Sequence, residues 1–66
     1  MFWSEISILT TAEAADAVGN ICIEEGAAGI ALEDKRDDGI IIKAYLPVTD
    51  LLTSRVDKIK RRVEGL

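Results

Sequence analysis

Residues 24–34 read Glu-Glu-Gly-Ala-Ala-Gly-Ile-Ala-Leu-Glu-Asp, two glycines in a run of small residues that leads into an apolar segment. What flanks this run decides its meaning. A loop that cradles a nucleotide phosphate follows a strand and opens a helix, because the anion rests on the N–H groups at the helix N-terminus. Here the order is reversed: Ala14, Val18, Ile21 and Cys22 recur at helical spacing before the glycines, and Gly29 to Glu33 has the length and composition of a short strand after them. Gly26 therefore reads as a left-handed helix cap and Gly29 as a tight entry into a strand, with no phosphate site between them.

Toward the amino terminus, residues 3–9 alternate, with Ile6 and Ile8 on one side and Glu5 and Ser7 on the other, the period of a half-buried strand. Thr10 precedes Glu13 by the spacing of a capping box, which predicts that the first helix starts there. Glu13, Asp16, Asn20 and Glu24 fall mostly on its solvent side. Toward the carboxyl terminus, Ile40 to Leu46 predicts a third strand, joined to the second by a polar hairpin from Asp34 to Gly39. Pro47 stops that strand because it has no N–H. Thr49 or Asp50 is placed to cap a second helix with the seam Leu52, Val56, Ile59 and Val63, basic residues near its end and Gly65 as its C-terminal cap.

The totals limit the function. A chain of 66 residues makes one small domain, too small to enclose a deep catalytic cleft. The net charge is −4, with ten acids against three bases in residues 1–50 and two acids against five bases in residues 51–66. That balance opposes nucleic acid and anionic membrane surfaces, both of which are held through Lys and Arg. There is no His, and Cys22 is the single cysteine, so metal and triad chemistry have little to work with. Neither a signal peptide nor an 18-residue apolar span is read, and a cytoplasmic location is expected.

Two imitations of functional sites fail on their details. Asp34 to Gly39 has the start of a calcium loop, but Arg36 occupies the third position and Tyr45 the twelfth, where the bidentate glutamate belongs. Cys22 lies on the apolar stripe of the first helix, with no base to activate it, and reads as packing. No catalytic residue is assigned.

Pairing strands one and three antiparallel with residue numbers summing to 48 sets Trp3 against Tyr45, Glu5 against Lys43 and Ser7 against Ile41 on one face. Ile6 then meets Ile42 and Ile8 meets Ile40 on the other, under the helices. Trp3, Ile41 and Tyr45 remain on an open sheet face. Such a face fits a protein-docking surface or a cover packed on another domain. It also invites comparison with RNA-binding sheets, but strand three, read KAYLP, lacks their glycine-and-aromatic consensus and the charge opposes it.

The element order is that of a ferredoxin-like β-α-β-β-α(-β) fold, an α+β two-layer sandwich with an antiparallel sheet and two helices on one face. Trp3-Ser4-Glu5-Ile6, Gly26-Ala27-Ala28-Gly29-Ile30-Ala31-Leu32-Glu33-Asp34 and Ile42-Lys43-Ala44-Tyr45-Leu46-Pro47, in this order and spacing, resemble the amino-terminal domain of the ribosomal protein L-eleven methyltransferases. The resemblance implies that residues 1–66 form a substrate-recognition domain for a ribosomal protein. It implies too that S-adenosylmethionine is held by a following Rossmann-like domain, so that this piece binds without catalysing. Trp3, Ile41 and Tyr45 are the candidate substrate contacts, and no cofactor or metal is expected here. A metabolite-binding regulatory domain and a purely structural interaction domain are the alternatives on the same fold. The fold's last strand, expected beside strand one, is missing from the sequence, which leaves residues 3–9 as an exposed edge open to homo-oligomerisation.

Overall fold

The computed structural model describes residues 2–34 and 39–66. The chain runs β1 (Trp3–Thr11), α1 (Ala15–Glu24), β2 (Gly29–Asp34), β3 (Gly39–Pro47) and α2 (Leu52–Glu64). One antiparallel sheet has the order β1-β3-β2, with β3 central and β1 and β2 at the edges. Alternation of exposure, strict along β1 and along β3 from Ile41 onward, separates a covered side, Ile6, Ile8, Ile40, Ile42, Ala44 and Leu46, from an open one. The fold is thus the expected α+β two-layer sandwich, and its thinnest Cα dimension is 14 Å.

Ile42, Ala44 and Leu46 on β3, Ala15, Val18, Ile21 and Cys22 on α1, Ala27 and Ile59 on α2 form the core, with Leu52 and Val63 packed against it. No charged or polar side chain is buried among the described residues. The core is therefore held by apolar burial alone, with no buried charge to specify partners. Gly19 lets α1 approach β2, since a Cβ there would lie 2.9 Å from Ile30 Cδ1. Arg62 joins the helices, its guanidinium donating to Glu24 Oε1 at 2.6 Å and to Glu25 Oε2 at 3.0 Å. Both acids lie at the α1 C-terminus, and their hydrogen bonds hold the Arg62 guanidinium above its ordinary pKa.

Gly26 has φ 109°, the left-handed region expected of it. The Gly26 N–H donates to the Ile23 carbonyl and the Ala27 N–H to the Cys22 carbonyl, a Schellman ending of α1 with buried Ala27 packed beside the helix. Gly65 also caps its helix, but at φ −84°, a right-handed conformation open to any residue.

Three local expectations are corrected. The strands pair with residue numbers summing to 50, so Trp3 faces Pro47, Glu5 faces Tyr45, Ser7 faces Lys43, Ile6 faces Ala44 and Ile8 faces Ile42. A two-residue shift returns every side chain to the same face, so the apolar pattern does not distinguish the two registers. The Thr10–Glu13 capping box does not form: Thr10 continues β1 opposite Ile40, and Ala14 N–H instead donates to Thr11 Oγ1 at 3.2 Å. Ladder bonds and the β preference of a branched residue outweigh the cap. At α2 the side-chain bond is Thr49 Oγ1 accepting the Leu51 N–H at 3.1 Å, one turn before the helix, and neither Thr49 nor Asp50 is the capping residue.

Pro47 closes β3 from within the strand. Residues of odd number on β3 turn their backbone toward β2, which begins opposite Tyr45, so no ladder bond needs the N–H that Pro47 lacks. Of the hairpin expected from Asp34 to Gly39 and its calcium-like positions, residues 35–38 lie outside the described residues, while Asp34 ends β2 and Gly39 and Tyr45 belong to β3.

Candidate functional site

The open face of the sheet is built from the odd-numbered residues of all three strands. The register orders them in rows: Trp3 beside Pro47; Glu5, Tyr45 and Gly29; Ser7, Lys43 and Ala31; Leu9, Ile41 and Glu33; Thr11 beside Gly39. Neither helix covers these rows. All three candidate contacts lie here: Trp3 is 51% exposed, while Ile41 and Tyr45 on the central strand are half-buried by their neighbours.

The arrangement is segregated. Trp3, Pro47 and Tyr45 gather at one end, Leu9 and Ile41 at the other, and a charged band crosses the middle. In that band Lys43 Nζ lies 3.0 Å from Glu33 Oε2. The Glu33 hydrogen bond and charge, with Glu5 behind them, hold the Lys43 ammonium above its usual pKa. An exposed ion pair of this kind adds little to stability, but it fixes the Lys43 side chain toward β2 and gives the face a polar middle between two apolar ends.

Leu9, 62% exposed, is part of this face and was not among the sequence candidates. Its signal was present in the alternation of β1, which extends two residues beyond the predicted end. Pro47 likewise joins the face through the observed register. The apolar end extends past the sheet, where Phe2 and Val48 are exposed and Val48 N–H donates to the Phe2 carbonyl at 2.9 Å.

Other chemistry has little support from the geometry. Among the described residues no group of three or more His, Cys, Asp or Glu is placed to hold a metal ion. Cys22 is fully buried, and desolvation raises its thiol pKa, which opposes thiolate formation. Beside Gly26 the nearest side chain is Arg55, against the Schellman turn and not against a helix N-terminus. Among the described residues no helix is long and apolar enough to cross a membrane.

No family model matches the chain, and no solved structure matches it. Curated proteins do. Over 88 aligned positions that take in the whole chain, it is 42% identical to the ribosomal protein L11 methyltransferase of Geobacillus kaustophilus (strain HTA426). It is 41% identical to that of Geobacillus thermodenitrificans (strain NG80-2) and 38% identical to that of Bacillus subtilis (strain 168). The chain spans 28% of the length of each of these relatives. Identity at this level over the whole chain means that the chain belongs to the ribosomal protein L11 methyltransferase family and corresponds to the amino-terminal part of its members.

Proposed function

We propose that this chain is the substrate-recognition domain of an S-adenosylmethionine-dependent methyltransferase, holding a ribosomal protein while the rest of the enzyme transfers the methyl group. Homology to proteins named for that reaction supports the substrate class. The observation that carries the docking role is the uncovered sheet face, with half-exposed Trp3 and the half-buried Tyr45 and Ile41 on a rigid three-stranded platform. Aromatic side chains on a preformed surface supply large contact area at small entropic cost.

Trp3 and Tyr45 anchor the partner at one end, and Ile41, with Leu9, at the other. Between them Glu5 and Glu33 flank Lys43 and present a mostly acidic band, which suits the basic surface of a ribosomal protein better than the phosphates of its RNA. This domain brings no cofactor of its own to the reaction, and a ribosomal substrate places its action in the cytoplasm.

The test is calorimetric binding of ribosomal protein L11 to the 66-residue chain and to Trp3→Ala, Ile41→Ala and Tyr45→Ala variants. The Trp3 and Tyr45 changes are expected to weaken binding by ~10-fold or more each, the scale of interface anchors. Unchanged affinity in all three variants would remove the open face as the docking site.

A further inference from the structure

Gly29 is the first residue of β2 and ends the row Glu5, Tyr45, Gly29 on the open face. The fold gives no reason of its own for a glycine at this position. Gly26 takes a positive φ and Gly29 does not. A Cβ at Gly19 would lie 2.9 Å from Ile30 Cδ1, whereas a Cβ at Gly29 would meet no atom of the described residues within 4 Å. Pairing is already established there, since the Ala28 N–H donates to the Tyr45 carbonyl at 2.9 Å. Glycine weakens a paired strand, because it loses more freedom on ordering and has no side chain to pack; where the fold does not require it, close approach of another chain is a reason for it.

The missing side chain leaves one flank of Tyr45 bare. Tyr45 stands on the central strand between Glu5 on β1 and Gly29 on β2. Directly opposed residues hold their Cβ atoms ~4.5–5.5 Å apart, so a branched residue at position 29 would stand against the Tyr45 side chain. The neighbouring row does not fill the space. Lys43, opposite Ala31, reaches Glu33 at 3.0 Å, and Glu33 lies one row further from Gly29. What remains is a recess floored by the Gly29 backbone, with Tyr45 on one side and the Lys43–Glu33 ion pair beyond Ala31.

We propose that Gly29 is a specificity-determining residue of the docking face: a segment of the substrate polypeptide passes over its backbone and lies against the β2 flank of Tyr45. This rests on the docking role argued above. A glycine floor beside an aromatic wall fits a main-chain segment, which needs close approach and gains contact area from a rigid ring. Glu5 at one end of the row and Glu33 beyond Ala31 favour basic residues on either side of that segment.

The test is calorimetric binding of ribosomal protein L11 to the 66-residue chain and to its Gly29→Val variant, with melting followed by circular dichroism. The valine suits a strand and meets nothing in the fold, so the variant is expected to melt no lower than the wild type and to bind ~10-fold or more weakly. Added to Tyr45→Ala, the same change is expected to weaken binding by less than the product of the two single losses, because the flank it closes is no longer there. Wild-type affinity in Gly29→Val, while Trp3→Ala and Tyr45→Ala bind weakly, would overturn this proposal and leave the docking face standing. Binding absent from the wild type, or indifferent to all of these changes, would remove the docking face and this role of Gly29 with it. A lower melting temperature in Gly29→Val would show that the fold needs the glycine, and losses that multiply in the double variant would separate it from Tyr45; either would overturn the proposal.

Discussion

Trp3 and Tyr45 are diagonal neighbours on the open face: Trp3 stands opposite Pro47 and Tyr45 opposite Glu5. The diagonal keeps two rings at one end of the sheet, within reach of a single partner segment. Trp3 is the only tryptophan and is 51% exposed, so its fluorescence reports this surface alone. In the isolated chain its emission should be that of a wet indole and readily quenched by acrylamide; adding the ribosomal protein should shift it to the blue and shield it. Emission already shielded in the free chain would contradict the open face.

Ile41 and Ile42 are adjacent in sequence and lie on opposite faces. Ile42 is fully buried at the centre of the core, and Ile42→Ala is expected to cost ~2–5 kcal/mol. A core this small rarely supplies more than about 3–5 kcal/mol in total, so the variant should be largely unfolded. Ile41→Ala, half-exposed on the other side, should cost about 1 kcal/mol. Urea titration followed by circular dichroism measures both; equal effects would contradict the assignment of faces.

Gly26 at φ 109° is required by its conformation, and a Cβ there would also come within 3.1 Å of the Arg55 guanidinium. Gly26→Ala should destabilise by ~1 kcal/mol or more, lowering the melting temperature by roughly 4–8 °C for a domain of this size. Gly29, where an added Cβ would meet nothing within 4 Å, should tolerate the same change far better.

Cys22 ties stability to alkaline pH. Burial raises its thiol pKa in the folded chain, so the native state keeps its proton at pH values where the unfolded state has lost it. That contribution is complete below the unfolded thiol value of about 8.5 and is lost as pH rises beyond it toward the folded value. Denaturation midpoints should therefore fall above this pH in the wild type and more weakly in Cys22→Ala. A thiol reagent should label Cys22 at the rate of unfolding; immediate labelling of the native chain would show that the helix does not cover it.

Lys43 offers a second titration. Its ammonium is held above the ordinary value by Glu33 first and Glu5 next. The gain from this pairing is present below the unfolded lysine value of about 10.4 and disappears as pH rises through the folded one. In Glu33→Gln the Lys43 pKa, followed by nitrogen-detected NMR, should move down while the melting temperature at neutral pH barely changes, as for other exposed pairs. An unchanged pKa would mean that the ion pair is not formed in solution.

The two faces of the sheet were legible in the residue order, because a strand repeats every two residues and Ile6, Ile8, Ile40 and Ile42 mark one side of that repeat. Gly26 as a helix ending was legible for a similar reason: the helical stripe stops just before it, and glycine alone takes its backbone angle without strain. Trp3, Ile41 and Tyr45 followed from the same alternation. Leu9 was legible in that alternation too, as the last residue of the predicted strand; Thr10 and Thr11 were not, since the strand runs on where the Thr10–Glu13 spacing suggested a helix start.

What the amino-acid order determined by itself was therefore the type of each element and the side each residue faces, both written in periodicity and short-range spacing, while the family followed from resemblance to known sequences. Only the tertiary structure decided that Trp3 lies against Pro47, that Lys43 leans to Glu33, and that Arg62 binds the end of α1 in addition to complementing its own helix dipole. Those choices separate arrangements with the same pattern of inward and outward residues. They are settled by side-chain volume and charge meeting across strands and helices, at distances along the chain that no local pattern encodes.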